Sequence, residues 1–195
     1  INLNKDFLTS FSSLKYIVSP TTGLNHIDLD YCNKKSIKVI SLKDELDFLE
    51  TIDATPDFTL TMVLSLARKL TESYLDYISS EKCYRNDFLS KEFSNIKVGI
   101  AGCGRVGVKL GNKLKYLGFR TCGYDPFKNK DYFKKKKIVK IEDISDFLSD
   151  IDILVIAISY SKENINFFDF KKLKKLKKGS IVINTARGEV LDENA

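Results

Sequence analysis

Residues 95–125 read NIKVGIAGCGRVGVKLGNKLKYLGFRTCGYD, and this stretch decides the fold. Its first apolar run, Ile96 to Ala101, has the length and composition of a buried strand. Three glycines follow in the order G-x-G-x-x-G: Gly102, Gly104 and Gly107. Val106, Leu110, Leu114 and Leu117 then recur on one helical face, and Gly118 stands where a helix C-terminal glycine belongs. A second apolar run, Phe119 to Tyr124, ends on Asp125. Strand, glycine turn, helix, strand and acid within about thirty residues is the layout of a dinucleotide-binding βαβ unit.

Each part has a physical task. Gly102 allows the tight turn, Gly104 lets backbone approach a pyrophosphate, and Gly107 lets helix and strand pack closely. The N–H groups at the helix start, with the positive end of its dipole, hold phosphate charge. Asp125 can accept from both ribose hydroxyls of NAD, and its charge repels the 2′-phosphate of NADP. The bland alternative is a glycine-rich turn that binds nothing; the flanking strands, helix and acid weigh against it.

The 195 residues suffice for one large domain or two small ones. No apolar run approaches the roughly 20 residues of a membrane span, and no signal-peptide pattern opens the chain. Cys32, Cys83, Cys103 and Cys122 form no C-x-x-C pair, which argues against zinc and a disulfide framework and for a reducing cytoplasm. Cys103, inside the glycine loop, reads as a small filler rather than a redox sensor. Residues 1–95 carry 11 Lys and Arg against 14 Asp and Glu, whereas residues 96–195 carry 21 against 12. Much of that excess lies in Lys134–Lys137 and in KKLKKLKK (Lys171–Lys178). Without interleaved aromatics the second run reads as a solvated face rather than a nucleic-acid surface. The start at Ile1 and the stop at Ala195 lead us to expect a piece of a longer protein.

Elsewhere the pattern alternates. Strands are expected at Lys15–Val18, Ile37–Ser41, Ile151–Ile158 and Ser180–Asn184, with short helices at Leu29–Lys34 and Ile141–Leu148. LKDELDFLETIDA reads as an exposed connector, Pro126–Lys140 as a basic loop, and Ser161–Lys175 as a helix. Thr55-Pro56-Asp57 reads as a helix start, Thr55 capping and Pro56 at the first helical position, with the helix running to about Ile78. Leu60, Val63, Leu64, Ala67, Leu70 and Tyr74 line one face, while Met62, Leu66 and Leu75 add apolar surface elsewhere. A helix apolar on more than one side is expected between two bodies. The polar SSEKCYRNDF stretch from Ser79 reads as a domain boundary. The fold class is α/β: a doubly wound parallel sheet.

Three stretches carry a family resemblance: TTGLNHID (Thr21–Asp28), VGIAGCGRVG with YD after the next strand, and LKKGSIVINTARGEVLD (Leu176–Asp192). The chain resembles the D-isomer-specific 2-hydroxyacid dehydrogenases, the family of phosphoglycerate dehydrogenase, over nearly its whole length. The resemblance implies a Rossmann NAD-binding domain over residues 81–195, a linking helix over 56–80, and the end of a smaller flavodoxin-like substrate domain over 1–55. It implies NAD as cofactor, a small 2-hydroxy or 2-oxo acid as substrate, and a homodimer. Arg187 would pair with the substrate carboxylate and polarise the C2 oxygen, as a planar guanidinium can. Backbone N–H groups of Thr22 and Gly23 would bind the same carboxylate. Arg105 and Val106 would meet the pyrophosphate beside Gly102, Gly104 and Gly107. Asp125 would hold the ribose, Ala157 would stand on the adenine side, and Thr185, Ala186 and Thr22 would meet the nicotinamide.

There are departures. Ala101 replaces a larger apolar residue, Ala157 a frequent proline, and Asp57-Phe58 the usual Glu-His. The family's catalytic histidine and glutamate belong beyond the NTARG strand, and His26, the one histidine here, takes a peripheral position. The alternative is a family member that senses NAD and regulates association without catalysis.

Overall fold

The structure, a computed structural model, describes residues 2–80 and 84–195, so Cys83 and part of the expected boundary from Ser79 lie outside it. The chain divides into two units, Ile1–Ile52 and Asp53–Ala195.

The first unit holds α1 (Lys5–Thr9), β1 (Tyr16–Ser19), α2 (Leu29–Lys34), β2 (Lys38–Ser41) and α3 (Leu46–Thr51). β1 and β2 pair in parallel, Tyr16 opposite Lys38. Asp28 starts α2 by accepting the Tyr31 N–H at 2.9 Å. Leu8, Ile27, Cys32 and Ile37 form the small core. The expected connector after β2 instead contains a 3-10 turn, Leu42–Asp44, and α3, whose Leu49 is buried.

The second unit begins with α4 (Ala54–Ala67) and α5 (Leu70–Ser80), not with one helix. The break falls at Lys69, in the left-handed region at φ 51°. No glycine or proline marks it, so composition gave no warning. The helix start also differs: Asp53 is the N-cap residue, and Pro56 is the third residue of α4. Asp53 makes no capping bond because its carboxylate pairs with Lys109 at 2.6 Å and Lys113 at 2.8 Å. Pro56 fits there because N–H groups of a first helical turn have no partner within the helix. On α5, Leu70, Tyr74, Leu75, Tyr77 and Ile78 are exposed on this chain.

Next come β3 (Lys97–Ala101), α6 (Arg105–Tyr116), β4 (Arg120–Tyr124), α7 (Lys130–Lys136), β5 (Val139–Lys140), α8 (Ile144–Ser149), β6 (Ile153–Ile156), α9 (Phe170–Leu173) and β7 (Ile181–Asn184). The strands form one parallel sheet in the order β5-β4-β3-β6-β7. That order, outward in both directions from β3, is the doubly wound arrangement. Val98 and Ile100 of β3 pack with Val63 of α4 and Leu110 and Leu114 of α6 on one face. Ala101, Leu154 and Ile156 pack with Phe147 and Leu148 of α8 on the other. Gly99 is required there, since a Cβ would come within 2.7–2.9 Å of Ile151 and Phe147.

Two expectations fail here. Residues 126–140 are not a loop: Asn129 caps α7 through the Tyr132 N–H, and Phe133 and Ile138 bury against Cys103 and Val108. Residues 161–175 are not one helix. They hold a 3-10 turn, Lys162–Asn164, then a bridge from Phe168 to Leu191, then only the four residues of α9. Phe168 is fully buried, and its N–H donates to the Val190 carbonyl at 3.1 Å. That bond ties the segment to the chain after β7 in place of a helical partner.

Candidate functional site

The sheet register brings the expected site residues into a row. Ala101 pairs with Tyr124 and with Ile156, and Ile156 pairs with Asn184. The next residue on each strand is therefore Asp125, Gly102, Ala157 or Thr185, side by side at the carboxyl edge. Backbone bonds continue across the row: Gly102 N–H to the Tyr124 carbonyl at 2.9 Å, Ala157 N–H to Ala101 at 2.8 Å, and Thr185 N–H to Ile156 at 3.4 Å. Four adjacent parallel strands span three spacings, roughly 14 Å.

At the centre of the row the glycine loop meets each demand on a dinucleotide cradle. Gly102 has φ +92°, and a Cβ there would lie 2.7 Å from the Ala157 carbonyl. A Cβ on Gly107 would overlap the Gly102 carbonyl oxygen. Gly104 differs, because among the described residues a Cβ there would meet nothing within 4 Å. Its hydrogen faces open space at the N-terminus of α6, where Gly104 itself is the N-cap and supplies no capping side chain. Arg105, Val106 and Gly107 form the first turn, so the positive end of a twelve-residue helix points at that space. The residues fit a pyrophosphate.

Asp125 is buried, and both its oxygens are engaged. Oδ2 accepts the Cys103 N–H at 3.0 Å and Oδ1 accepts the Phe127 N–H at 3.0 Å. It therefore joins the glycine loop to the turn after β4 and still has lone pairs for ribose hydroxyls. Cys103 is a filler, as expected: it is fully buried, and burial, then the Asp125 charge and Cys122, push its thiol up to about 12. A thiol so protonated is not a nucleophile at neutral pH. Tyr132 of α7 braces the same loop through its hydroxyl, which donates to the Cys103 carbonyl at 2.9 Å.

At the other end of the row Asn184 shapes the turn. Its Oδ1 accepts the Ala186 N–H at 3.0 Å and its Nδ2 donates to the Arg187 carbonyl at 2.8 Å. Asn184 was not among the expected site residues, although its place directly before TARG was the available signal. Arg187 is exposed, with Nη1 donating to the Ala186 carbonyl at 2.8 Å. In the first unit Thr21 shapes the TTG turn, its hydroxyl donating to the Gly23 carbonyl at 2.8 Å and sharing a 2.8 Å bond with Ser19. A cavity of about 590 Å³, lined by Ala67, Lys91, Asp152, Lys177 and Ile181 among others, opens at the opposite, amino end of the strands and belongs to neither cluster.

Comparison with known proteins agrees with this geometry. The NAD binding domain of the D-isomer specific 2-hydroxyacid dehydrogenases matches residues 60–195, and the catalytic domain of the same family matches residues 1–83. A D-3-phosphoglycerate dehydrogenase of Archaeoglobus fulgidus is 27% identical over 99% of this chain and 35% of its own length. A glyoxylate reductase of Pyrococcus horikoshii is 26% identical over 99% of this chain and 58% of its own length. The crystal structure of D-lactate dehydrogenase from Aquifex aeolicus, complexed with NAD and lactic acid, superposes with a TM-score of 0.83 at 27% identity, covering 99% of this chain and 56% of that one. The chain thus spans between about a third and three-fifths of the length of these relatives. With the family's NAD binding domain and catalytic domain both matched, the chain belongs to the D-isomer specific 2-hydroxyacid dehydrogenase family.

Proposed function

We propose that the protein is an NAD-dependent oxidoreductase that interconverts a D-2-hydroxy acid and its 2-oxo acid, with Arg187 as the substrate anchor. The observation that supports this most is the unbroken row of strand ends from Asp125 through Gly102 and Ala157 to Thr185, which runs on into Ala186 and Arg187. NAD, when bound, accepts a hydride from the substrate carbon or returns one. Asp125 takes the adenosine ribose, and Gly104 with the first turn of α6 takes the pyrophosphate charge. Thr185 and Ala186 take the nicotinamide end. Arg187 is exposed beside a turn that Asn184 staples, which supports its pairing with a carboxylate and withdrawing charge from the adjacent oxygen. The exposed apolar residues of α5 support the homodimer that the family resemblance implies.

Proton transfer needs an acid–base group beside the C2 oxygen. His26, the one histidine of these 195 residues, sits in the first unit, where its backbone carbonyl accepts the Leu3 N–H at 2.7 Å. The family resemblance leaves His26 peripheral to the chemistry, so these 195 residues are expected to bind NADH and to reduce no 2-oxo acid at enzymatic rates. Fluorescence titration with NADH and a turnover assay with glyoxylate, pyruvate and phenylpyruvate check both halves. Turnover by this chain would overturn the peripheral reading of His26. Tight NADH binding without turnover by the protein as isolated from its source would favour an NAD-sensing regulator.

A further inference from the structure

Thr59 is the most deeply buried polar side chain among the described residues, with no exposed surface. It lies on the buried stripe of α4 with Pro56, Val63 and Ala67, where a valine would have the same shape. Its hydroxyl donates to the Thr55 carbonyl one turn back, at 2.7 Å, and is hydrogen-bonded to Thr185 Oγ at 3.0 Å. The first bond is the local one that any helical threonine can make, and exposed Thr61 makes it to Asp57 at 3.0 Å. The second bond crosses from α4 to the end of β7 and gives the buried hydroxyl a reason to be there. Thr185 is half-buried, the last member of the strand-end row, and the turn that follows it is closed by Asn184.

We propose that Thr59 is a positioning residue of the cofactor site: its buried hydroxyl fixes the Thr185 rotamer, so that the Thr185 hydroxyl is presented to the nicotinamide end of the dinucleotide. This rests on the reading of Thr185 as a nicotinamide neighbour. α4 thereby acts on the site through one hydrogen bond, although none of its residues belongs to the strand-end row.

The test compares NADH with ADP-ribose, which keeps the adenosine and pyrophosphate but lacks the nicotinamide, in equilibrium binding to the 195-residue chain. Thr59→Val should weaken NADH about five-fold, the loss expected for one hydrogen bond. ADP-ribose affinity should stay within about two-fold, and Thr59→Ser should restore NADH. Thr185→Val reaches the same pair from its half-buried end, so it should repeat the selective loss even if Thr59→Val folds poorly. The double variant should lose no more than the worse single variant. Equal weakening of both ligands, or unchanged NADH affinity in Thr59→Val, would overturn the proposal. If the unsubstituted chain binds ADP-ribose and NADH equally, the nicotinamide reading of Thr185 fails and this inference with it. Failure to bind either ligand would overturn the cofactor site itself.

Discussion

The three glycines of the loop serve different masters, and single methyl groups separate them. At Gly107 an added methyl meets the Gly102 carbonyl, so Gly107→Ala should cost about 1–3 kcal/mol of stability in urea unfolding. At Gly104 the same methyl meets no atom of the described residues. Gly104→Ala should melt within about a degree or two of the parent yet bind NADH at least about ten-fold more weakly, because on the proposed reading the methyl would stand where the pyrophosphate approaches. Equal NADH affinity in Gly104→Ala would mean that phosphate does not sit there. At Asp125 the substitution to Asn turns an NH₂ toward one of the two N–H donors now satisfied. That mismatch should cost about 1–3 kcal/mol, read as a lower urea midpoint even without cofactor. These distinctions follow from packing around each glycine, which spacing alone does not carry.

Among elements, the polar clamp between α4 and α6 sets an acid limit. Asp53 is held down to about 2 from 3.8 by hydrogen bonds from Lys109 and Lys113, and Lys113 also pairs with Asp57 at 2.5 Å. A depressed carboxylate stabilises the fold above its ordinary titration range and loses that contribution as pH falls from about 4 through 2. The melting temperatures of the parent and Asp53→Asn should therefore differ at pH 5 and converge toward pH 2. A gap that persists at pH 2 would show that the charge is not responsible. Exposure of the pair keeps the effect small and salt-sensitive. The elements that sequence made legible are those with their own punctuation. β3, α6 and β4 carry glycines and periodic leucines, and α2 carries Asp28. The α4–α5 break was illegible because a lysine occupies the left-handed position. α7 was illegible because Phe133 and Ile138 are apolar anchors hidden among lysines. The segment before α9 is set by a long-range bridge to Leu191, which no local pattern can announce.

At the scale of the molecule, the strand-end row and the clamp both lie within residues 53–195, which have their own core on each face of the sheet. A chain of residues 53–195 should melt cooperatively and bind NADH within about two-fold of the full 195 residues. A much larger loss would assign a direct share of cofactor binding to the first unit, with Thr22 the first residue to test. The row itself could be anticipated residue by residue but not as a row, since register is a property of strand pairing rather than of any one stretch.

Asp125 has a consequence for descent. On the proposed reading of Asp125 as the ribose acceptor, a lineage changing from NAD to NADP would have to discard a carboxylate that repels a 2′-phosphate, but the same carboxylate holds the glycine loop to the turn after β4. The two traits share one side chain, so the order of substitutions is constrained. A new acceptor for the Cys103 and Phe127 N–H groups must arise first, or the intermediate loses its loop before it gains a phosphate site. Cofactor choice in this chain is therefore inherited together with architecture.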